Sequence, residues 1–333
     1  MYKNIKNGYY SAKYFFKTKE IIQKHKNNSK VTIQFFQREN NVTLCGINQV
    51  LKILKECTPI DKYKIKYLEE GKIINSGDVV LELEGKFEYF GILEGVIDGI
   101  LARQTSIATN SRKIKEIANN KPVIFMGDRA DSYINQENDG YAVSVGGLTT
   151  HVTNAQIKNH GGISVGTVPH ALIQMFGGDL IEALKAYKDT FPSEDLVALV
   201  DFNNDVINDS LKALKEFGKD LKALRVDTSD GVSDKFFKRN EEFGVTPNLI
   251  KALRKALDKN GGKHVKIIVS SGFNISKIRL FEEQDTPVDI YGVGGSILKI
   301  NIGFTGDAVK IDGKECAKFG RGYKDTSKLK VLI

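Results

Sequence analysis

Val288-Asp289-Ile290-Tyr291-Gly292-Val293-Gly294-Gly295-Ser296 is the stretch on which the fold turns. An apolar run of strand length passes straight into a glycine-rich turn. Turns of this kind let backbone amides approach an anion closely. In a dinucleotide-binding sheet such a turn follows the first strand. Here it follows the last of a series of short apolar runs at 122–126, 162–165, 196–200, 221–226, 265–269 and 288–293. Helical patterns lie between them near 141–145, 171–188, 204–217, 246–257 and 276–284. This alternation predicts βα units around a parallel sheet, which either a β/α barrel or a doubly wound sheet satisfies. The lateness of the glycine turn, and polar residues at the end of nearly every run, favour the barrel.

Working outward, residues 1–98 read as an α+β domain, 99–299 as the β/α barrel, and 300–333 as a segment that rejoins the first domain. In the first domain, 31–36, 65–68 and 79–85 are strand candidates, and 47–57 has the spacing of an amphipathic helix. Asn75-Ser76-Gly77-Asp78 supplies a turn. From about residue 92 the period changes to that of a long helix, which continues through Ile117. Beyond the barrel, 297–302 and 308–311 are strand-like again. The fold class is thus α/β with α+β: an incomplete TIM-like barrel plus an N-terminal open-barrel or sandwich domain, completed by the C-terminal tail. The aromatic cluster Tyr9, Tyr10, Tyr14, Phe15 and Phe16 can serve as core or offer a ring to a planar ligand.

The bulk numbers exclude several classes. Of 333 residues, 41% are hydrophobic and 27% charged, as in ordinary globular proteins. No apolar run has the length of a membrane span. Met1 to Lys6 is not followed by the apolar block of a signal peptide, so a cytoplasmic location is expected. Cys45, Cys57 and Cys316 are too few for a disulfide framework and lack metal-ligand spacing. The net charge of +8 suits an anionic partner, either nucleic acid or a phosphorylated small molecule. The lysines are dispersed, as at Lys212, Lys215, Lys219 and Lys222, with no dense basic tract. The expectation is therefore no nucleic acid and no membrane.

The residues just past each run would share one mouth in a barrel. They are Gly127-Asp128-Arg129, Gly166-Thr167 with His170, Asp201, Arg225 with Asp227 to Asp230, Ser270-Ser271-Gly272, and Gly292 to Ser296. Arg129, the glycine amides, Ser271 and Ser296 are donors for anions. Asp201, Asp227 and Asp230 suit sugar hydroxyls or a metal. Each carboxylate read alone could equally cap the following helix. His170 either meets a phosphoryl group at a helix start or ends a strand as a polar residue. Two glycine turns after the last two runs favour a phosphate cradle over plain turn chemistry.

Taken in order, Lys13-Tyr14-Phe15-Phe16-Lys17-Thr18, Gly127-Asp128-Arg129, Gly166-Thr167-Val168-Pro169-His170, Val200-Asp201, Leu224 to Ser229, Val269 to Phe273 and Tyr291 to Gly294 resemble the nicotinate phosphoribosyltransferases of the type II phosphoribosyltransferase family. The resemblance implies transfer of phosphoribose from phosphoribosyl pyrophosphate to nicotinate in NAD biosynthesis, with Mg²⁺, and with ATP as co-substrate through a phosphorylated His170. It implies catalytic roles for His170, Asp201 and Asp227, the two aspartates also meeting magnesium through pyrophosphate. Substrate contacts would come from Tyr14, Arg129, Thr167, Arg225, Ser271, Gly272, Gly292, Gly294, Gly295 and Ser296. Tyr14 would stack on the pyridine ring in the partner subunit's mouth, making a homodimer with shared sites. The alternatives are a quinolinate- or nicotinamide-type enzyme, or a non-catalytic homologue that binds a phosphorylated ligand. Only Cys316 lies where some relatives carry a zinc-binding cysteine cluster, so no structural zinc is expected.

Overall fold

The computed structural model describes residues 2–238 and 241–332. The chain divides into one unit of residues 1–109 with 299–333 and a second of residues 110–298. The division falls late in one long helix, after Thr109 rather than at the expected 98. Polar residues on that helix explain the later position. Thr105 Oγ1 accepts from Cys45 N at 3.1 Å, Ser106 Oγ from Ile302 N at 3.0 Å and Thr109 Oγ1 from Thr43 N at 2.9 Å. These buried side chains tie the helix into the first unit through Thr109.

The first unit opens with α1 (Tyr2–Lys6) and α2 (Lys13–Lys24), then β1 (Lys30–Gln37) and β2 (Val42–Thr43). There follow α3 (Ile47–Cys57), β3 (Lys64–Tyr67), β4 (Ile73–Ile74), β5 (Val79–Lys86), α4 (Phe87–Phe90) and α5 (Glu94–Ile117). The second unit runs β6 (Val123–Phe125), α6 (Gln136–Val145), β7 (Thr150–His151), α7 (Asn154–Ile157) and β8 (Ile163–Ser164). It continues with α8 (His170–Met175), α9 (Leu180–Thr190), β9 (Leu196–Leu199), α10 (Val206–Phe217) and β10 (Leu221–Val226). It closes with α11 (Pro247–Lys259), β11 (Lys266–Val269), α12 (Ile275–Glu283) and β12 (Ile290–Val293). The chain then returns to the first unit with β13 (Phe304–Ile311), β14 (Lys314–Glu315) and β15 (Lys330–Val331).

In the first unit the six strands are ordered β14-β13-β1-β5-β3-β15, antiparallel throughout. β1 is central and buries Val31, Ile33 and Phe35. α3 buries Ile47, Val50, Ile53 and Leu54, the apolar stripe that its spacing predicted. The returning β13 pairs along β1 from Val31↔Ile311 to Gln37↔Phe304, so the tail completes this sheet. The strand read at 297–302 does not form. Ile297, Leu298 and Ile302 are each buried, but the backbone there runs as turn and loop. Their hydrophobic spacing records anchoring, not pairing.

In the second unit seven parallel strands are ordered β8-β7-β6-β12-β11-β10-β9. Consecutive strands are neighbours, and β12 lies beside β6, the first of the set. That is the circular order of a β/α barrel, left open between the edge strands β8 and β9. The sequence reading counted six runs and missed β7, which is two residues long and polar. The helix read at 171–188 is two helices. Gly177 and Gly178 take φ of +66° and +89° and end α8. α9 starts afresh where Asp179 accepts from the amides of Ile181 and Glu182. No helix among the described residues is long and apolar enough to cross a membrane.

Candidate active site

The parallel strands of the second unit bring their C-terminal ends to one rim. Past β8, Val165 N bonds His151 O at 2.8 Å and the side chain of Val168 is fully buried. This anchored loop ends at Pro169, which holds the N-cap position of α8 and makes His170 its first residue. His170 Nε2 lies 3.1 and 3.0 Å from the two oxygens of Asp201, past the end of β9. The histidine is 45% exposed and the aspartate 8%. Burial pushes the Asp201 carboxyl above its usual range, against the opposing pull of His170, and the nearby Asp227 adds to the rise. An ionised carboxylate only accepts, so in this contact Nε2 is the donor.

Beside this pair lies a second network. Arg225, on β10, donates through Nε to Ser270 Oγ at 2.9 Å and through a terminal nitrogen to Thr167 Oγ1 at 3.4 Å. Its other terminal nitrogen is 3.2 Å from Asp227 Oδ2, and Ser270 Oγ donates to Asp227 Oδ1 at 2.6 Å. Residues from the ends of β8, β9, β10 and β11 thus form one polar surface. Sequence reasoning places Ser270 in the mouth but picks Ser271 as the donor. Ser270 N bonds Val226 O at 3.0 Å, so the β10–β11 ladder runs one residue past β11 and carries Ser270 to Arg225. Strand register was the signal that could have found it.

The cap reading of the carboxylates does not hold. The first amide of α10, Val206 N, is served by Asp234 Oδ2 at 3.0 Å. At α11, Thr246 Oγ1 accepts from Leu249 N at 3.3 Å. Asp201 and Asp227 are left to the network. Asp230 is not with them: its carboxylate is held by Lys277, a residue the sequence reading passed over. Among the described residues no group of three or more His, Cys, Asp or Glu is gathered to hold a metal ion.

The two glycine turns differ residue by residue. A Cβ on Gly292 would come within 2.7 Å of Met126 Sδ, and one on Gly294 within 2.7 Å of Met126 O. Backbone just past β6 demands glycine at 294, whereas at 292 the neighbour is a flexible methionine side chain. A Cβ on Gly295 would meet nothing nearer than Ala130 Cβ at 3.6 Å, so packing does not demand glycine there. Ser271 and Gly272 take left-handed φ of +76° and +67°. Ser296 Oγ donates to Phe273 O at 2.9 Å and ties the turn after β12 to the one after β11. Arg129 is exposed in the turn after β6.

A profile of the quinolinate phosphoribosyl transferase N-terminal domain matches residues 13–105. The chain is similar to the nicotinate phosphoribosyltransferase of Bacillus subtilis (strain 168), 25% identical over 237 residues, which are 69% of this chain and 45% of that protein. The match thus spans a little under half the length of that relative. The structure is similar to that of the nicotinate-nucleotide pyrophosphorylase from Pyrococcus furiosus, with a TM-score of 0.85 and 29% identity over 99% of this chain and 84% of the other. The profile match and these relatives support the resemblance to the type II phosphoribosyltransferases. Human nicotinic acid phosphoribosyltransferase shares the fold at a TM-score of 0.70 and 15% identity, over 93% of this chain and 76% of the other.

The profile match lies in the first unit and begins at the helix that carries Tyr14. There the aromatic cluster divides. Phe15 is buried core, while Tyr9, Tyr10 and Tyr14 are exposed at 76%, 56% and 64%. The Tyr14 ring rests at a tilt on Phe15, 4.3 Å between centroids, with most of its surface open.

Proposed function

We propose that the chain is a nicotinate phosphoribosyltransferase. It moves the 5-phosphoribosyl group from phosphoribosyl pyrophosphate to nicotinate, giving nicotinate mononucleotide and pyrophosphate. The observation that carries this reading is the juxtaposition of the His170–Asp201 pair with the Arg225–Asp227–Ser270 network on one barrel rim. Glycosyl transfer passes through a cationic, oxocarbenium-like state. It needs charge stabilisation on the leaving pyrophosphate and a fixed approach for the ring nitrogen. Arg225 and the backbone amides near Gly272 and Gly295 supply donors for phosphate oxygens. Arg129 would take the pyridine carboxylate or a phosphate. Asp201 and Asp227 supply acceptors for ribose hydroxyls.

Two carboxylates on neighbouring strand ends fit a magnesium ion held chiefly by the substrate's own phosphates. Magnesium there would neutralise the charge that builds on pyrophosphate. The geometry also suits ATP coupling. With Nε2 held by Asp201, His170 Nδ1 attacks the γ-phosphorus, the Pγ–O bond to ADP breaks, and ADP leaves. Water later takes the phosphoryl group as phosphate. Exposed Tyr9, Tyr10 and Tyr14 support a homodimer in which Tyr14 serves the partner's site.

A quinolinate-type enzyme is the second reading, favoured by the profile match over residues 13–105. It would release CO₂ and respond to neither ATP nor loss of His170. Purified protein assayed with phosphoribosyl pyrophosphate and nicotinate, nicotinamide or quinolinate, each with and without ATP, separates the readings. Turnover of nicotinate stimulated by ATP is expected. No product from any base would overturn the proposal. His170→Ala should abolish ATP stimulation and label transfer from γ-labelled ATP, with circular dichroism unchanged. Full ATP coupling in that variant would remove the phosphohistidine.

A further inference from the structure

The turn between β11 and α12 stands in an unfavourable conformation. Ser271 has φ of +76°, a region that costs a residue with a side chain on the order of 1 kcal/mol. Gly272 follows at +67°. Two side chains hold this turn. Lys277 Nζ donates to Ser271 O at 3.1 Å and to Asp230 Oδ1 at 2.8 Å. The ammonium also sits 4.8 Å from the centroid of Phe273, a buried ring. Asp230 comes from the loop between β10 and α11 and presses its carboxylate against two left-handed glycines. A Cβ on Gly272 would lie 2.2 Å from Asp230 Oδ2, and one on Gly244 would lie 2.7 Å from Oδ1. Lys277 is largely covered, with 18% of its side chain exposed, while Asp230 is 64% exposed.

We propose that Asp230 and Lys277 are positioning residues. Together they brace the Ser271–Gly272 turn in the left-handed form in which its amides meet a phosphomonoester. The inference rests on the phosphoribosyl reading of the site. Lys277 grips the carbonyl of the strained residue, and the carboxylate of Asp230 fixes the ammonium. The glycines at 244 and 272 leave room for that carboxylate, which any larger residue would displace. Without the brace Ser271 relaxes toward negative φ and turns the amides away. The phosphate of substrate and transition state is then lost equally, which raises KM and spares kcat.

The test uses full-length wild type, Lys277→Met, Lys277→Arg and Asp230→Asn. Three quantities are measured: KM against kcat for phosphoribosyl pyrophosphate, calorimetric affinity for ribose 5-phosphate, and amide hydrogen exchange at residues 271–273. Lys277→Met should raise KM and weaken ribose 5-phosphate by about tenfold, with kcat within about twofold and faster exchange. Asp230→Asn should fall between, and Lys277→Arg, which keeps the charge and can reach both oxygens, should restore most of the affinity. Unchanged exchange in Lys277→Met overturns the brace, as does a fall in kcat at constant KM. A wild type that binds no ribose 5-phosphate overturns the phosphoribosyl reading instead. Hydrogen exchange alone then decides the brace.

Discussion

At the scale of single residues, the site couples a half-exposed histidine to a buried carboxylate, and the two roles of that carboxylate oppose each other. The folded Asp201 carboxyl has a raised pKa, burial being the largest cause. A raised carboxylate pKa means the charged form costs stability. The cost is absent below the unfolded pKa and appears in full above the folded one. Asp201→Asn should therefore unfold at higher temperature than wild type at neutral pH, with the gain shrinking toward pH 3. It should also lose at least about tenfold in kcat, because the amide no longer fixes the tautomer of His170. Calorimetric melts and turnover measured on the same preparation check both. His151 has the opposite sign. It is fully buried, and burial first, then the neighbouring His160, lower its pKa to about 4. Its neutral form fits the fold, so stability is complete above pH 6.5 and is lost as pH falls toward 4. The loss between pH 7 and 5 is ~2 kcal/mol from this residue alone. In urea melts at the two pH values, His151→Leu should show a correspondingly smaller difference. An unchanged difference would place the pH sensitivity elsewhere.

At the scale of elements, the glycines separate what the fold requires from what the site requires. Gly294→Ala puts a methyl 2.7 Å from the carbonyl of Met126, a backbone atom that cannot swing away. It should cost about 2 kcal/mol by disturbing the β6–β12 pairing. Gly295→Ala meets nothing closer than 3.6 Å and should leave the melt unchanged, while raising KM for phosphoribosyl pyrophosphate if its amide cradles phosphate. Chemical denaturation and initial-rate kinetics of the pair distinguish the roles. From sequence the two glycines look alike, because only the approach of β6 tells them apart. The other misreadings have the same origin. β7 carries no apolar run because two residues suffice to join a sheet whose neighbours supply the hydrophobic surface. The α8–α9 break was legible in the pair Gly177-Gly178, yet the apolar period on both sides runs through it. The strand read at 297–302 fails because buried isoleucines can anchor a loop as well as a strand.

At the scale of the molecule, the parallel order of the second unit and the return of the tail to the first were both legible. Each follows from local pattern joined to chain order: six apolar runs alternating with helices, and a strand period that resumes after the last glycine turn. The link of Ser270 to Asp227 and the pairing of Lys277 with Asp230 were not legible, since they depend on register between strands and on loops distant in sequence. Assembly belongs to this scale too. Three tyrosines exposed at more than half their surface near one end of the chain are costly for a monomer and useful at a subunit contact. If Tyr14 of one protomer completes the site of its partner, Tyr14→Ala and His170→Ala damage the same site from different chains. A mixed dimer then carries one site with both lesions and one with neither. Co-refolding the two variants in equal amounts should restore about a quarter of wild-type activity, since half of the dimers are mixed and each has one intact site of two. Activity here is ATP-stimulated turnover, which each variant alone lacks, and sedimentation at assay concentration should report a dimer throughout. Mixed protein that remains as inactive as its parents would assign both residues to one chain and dissolve the shared site.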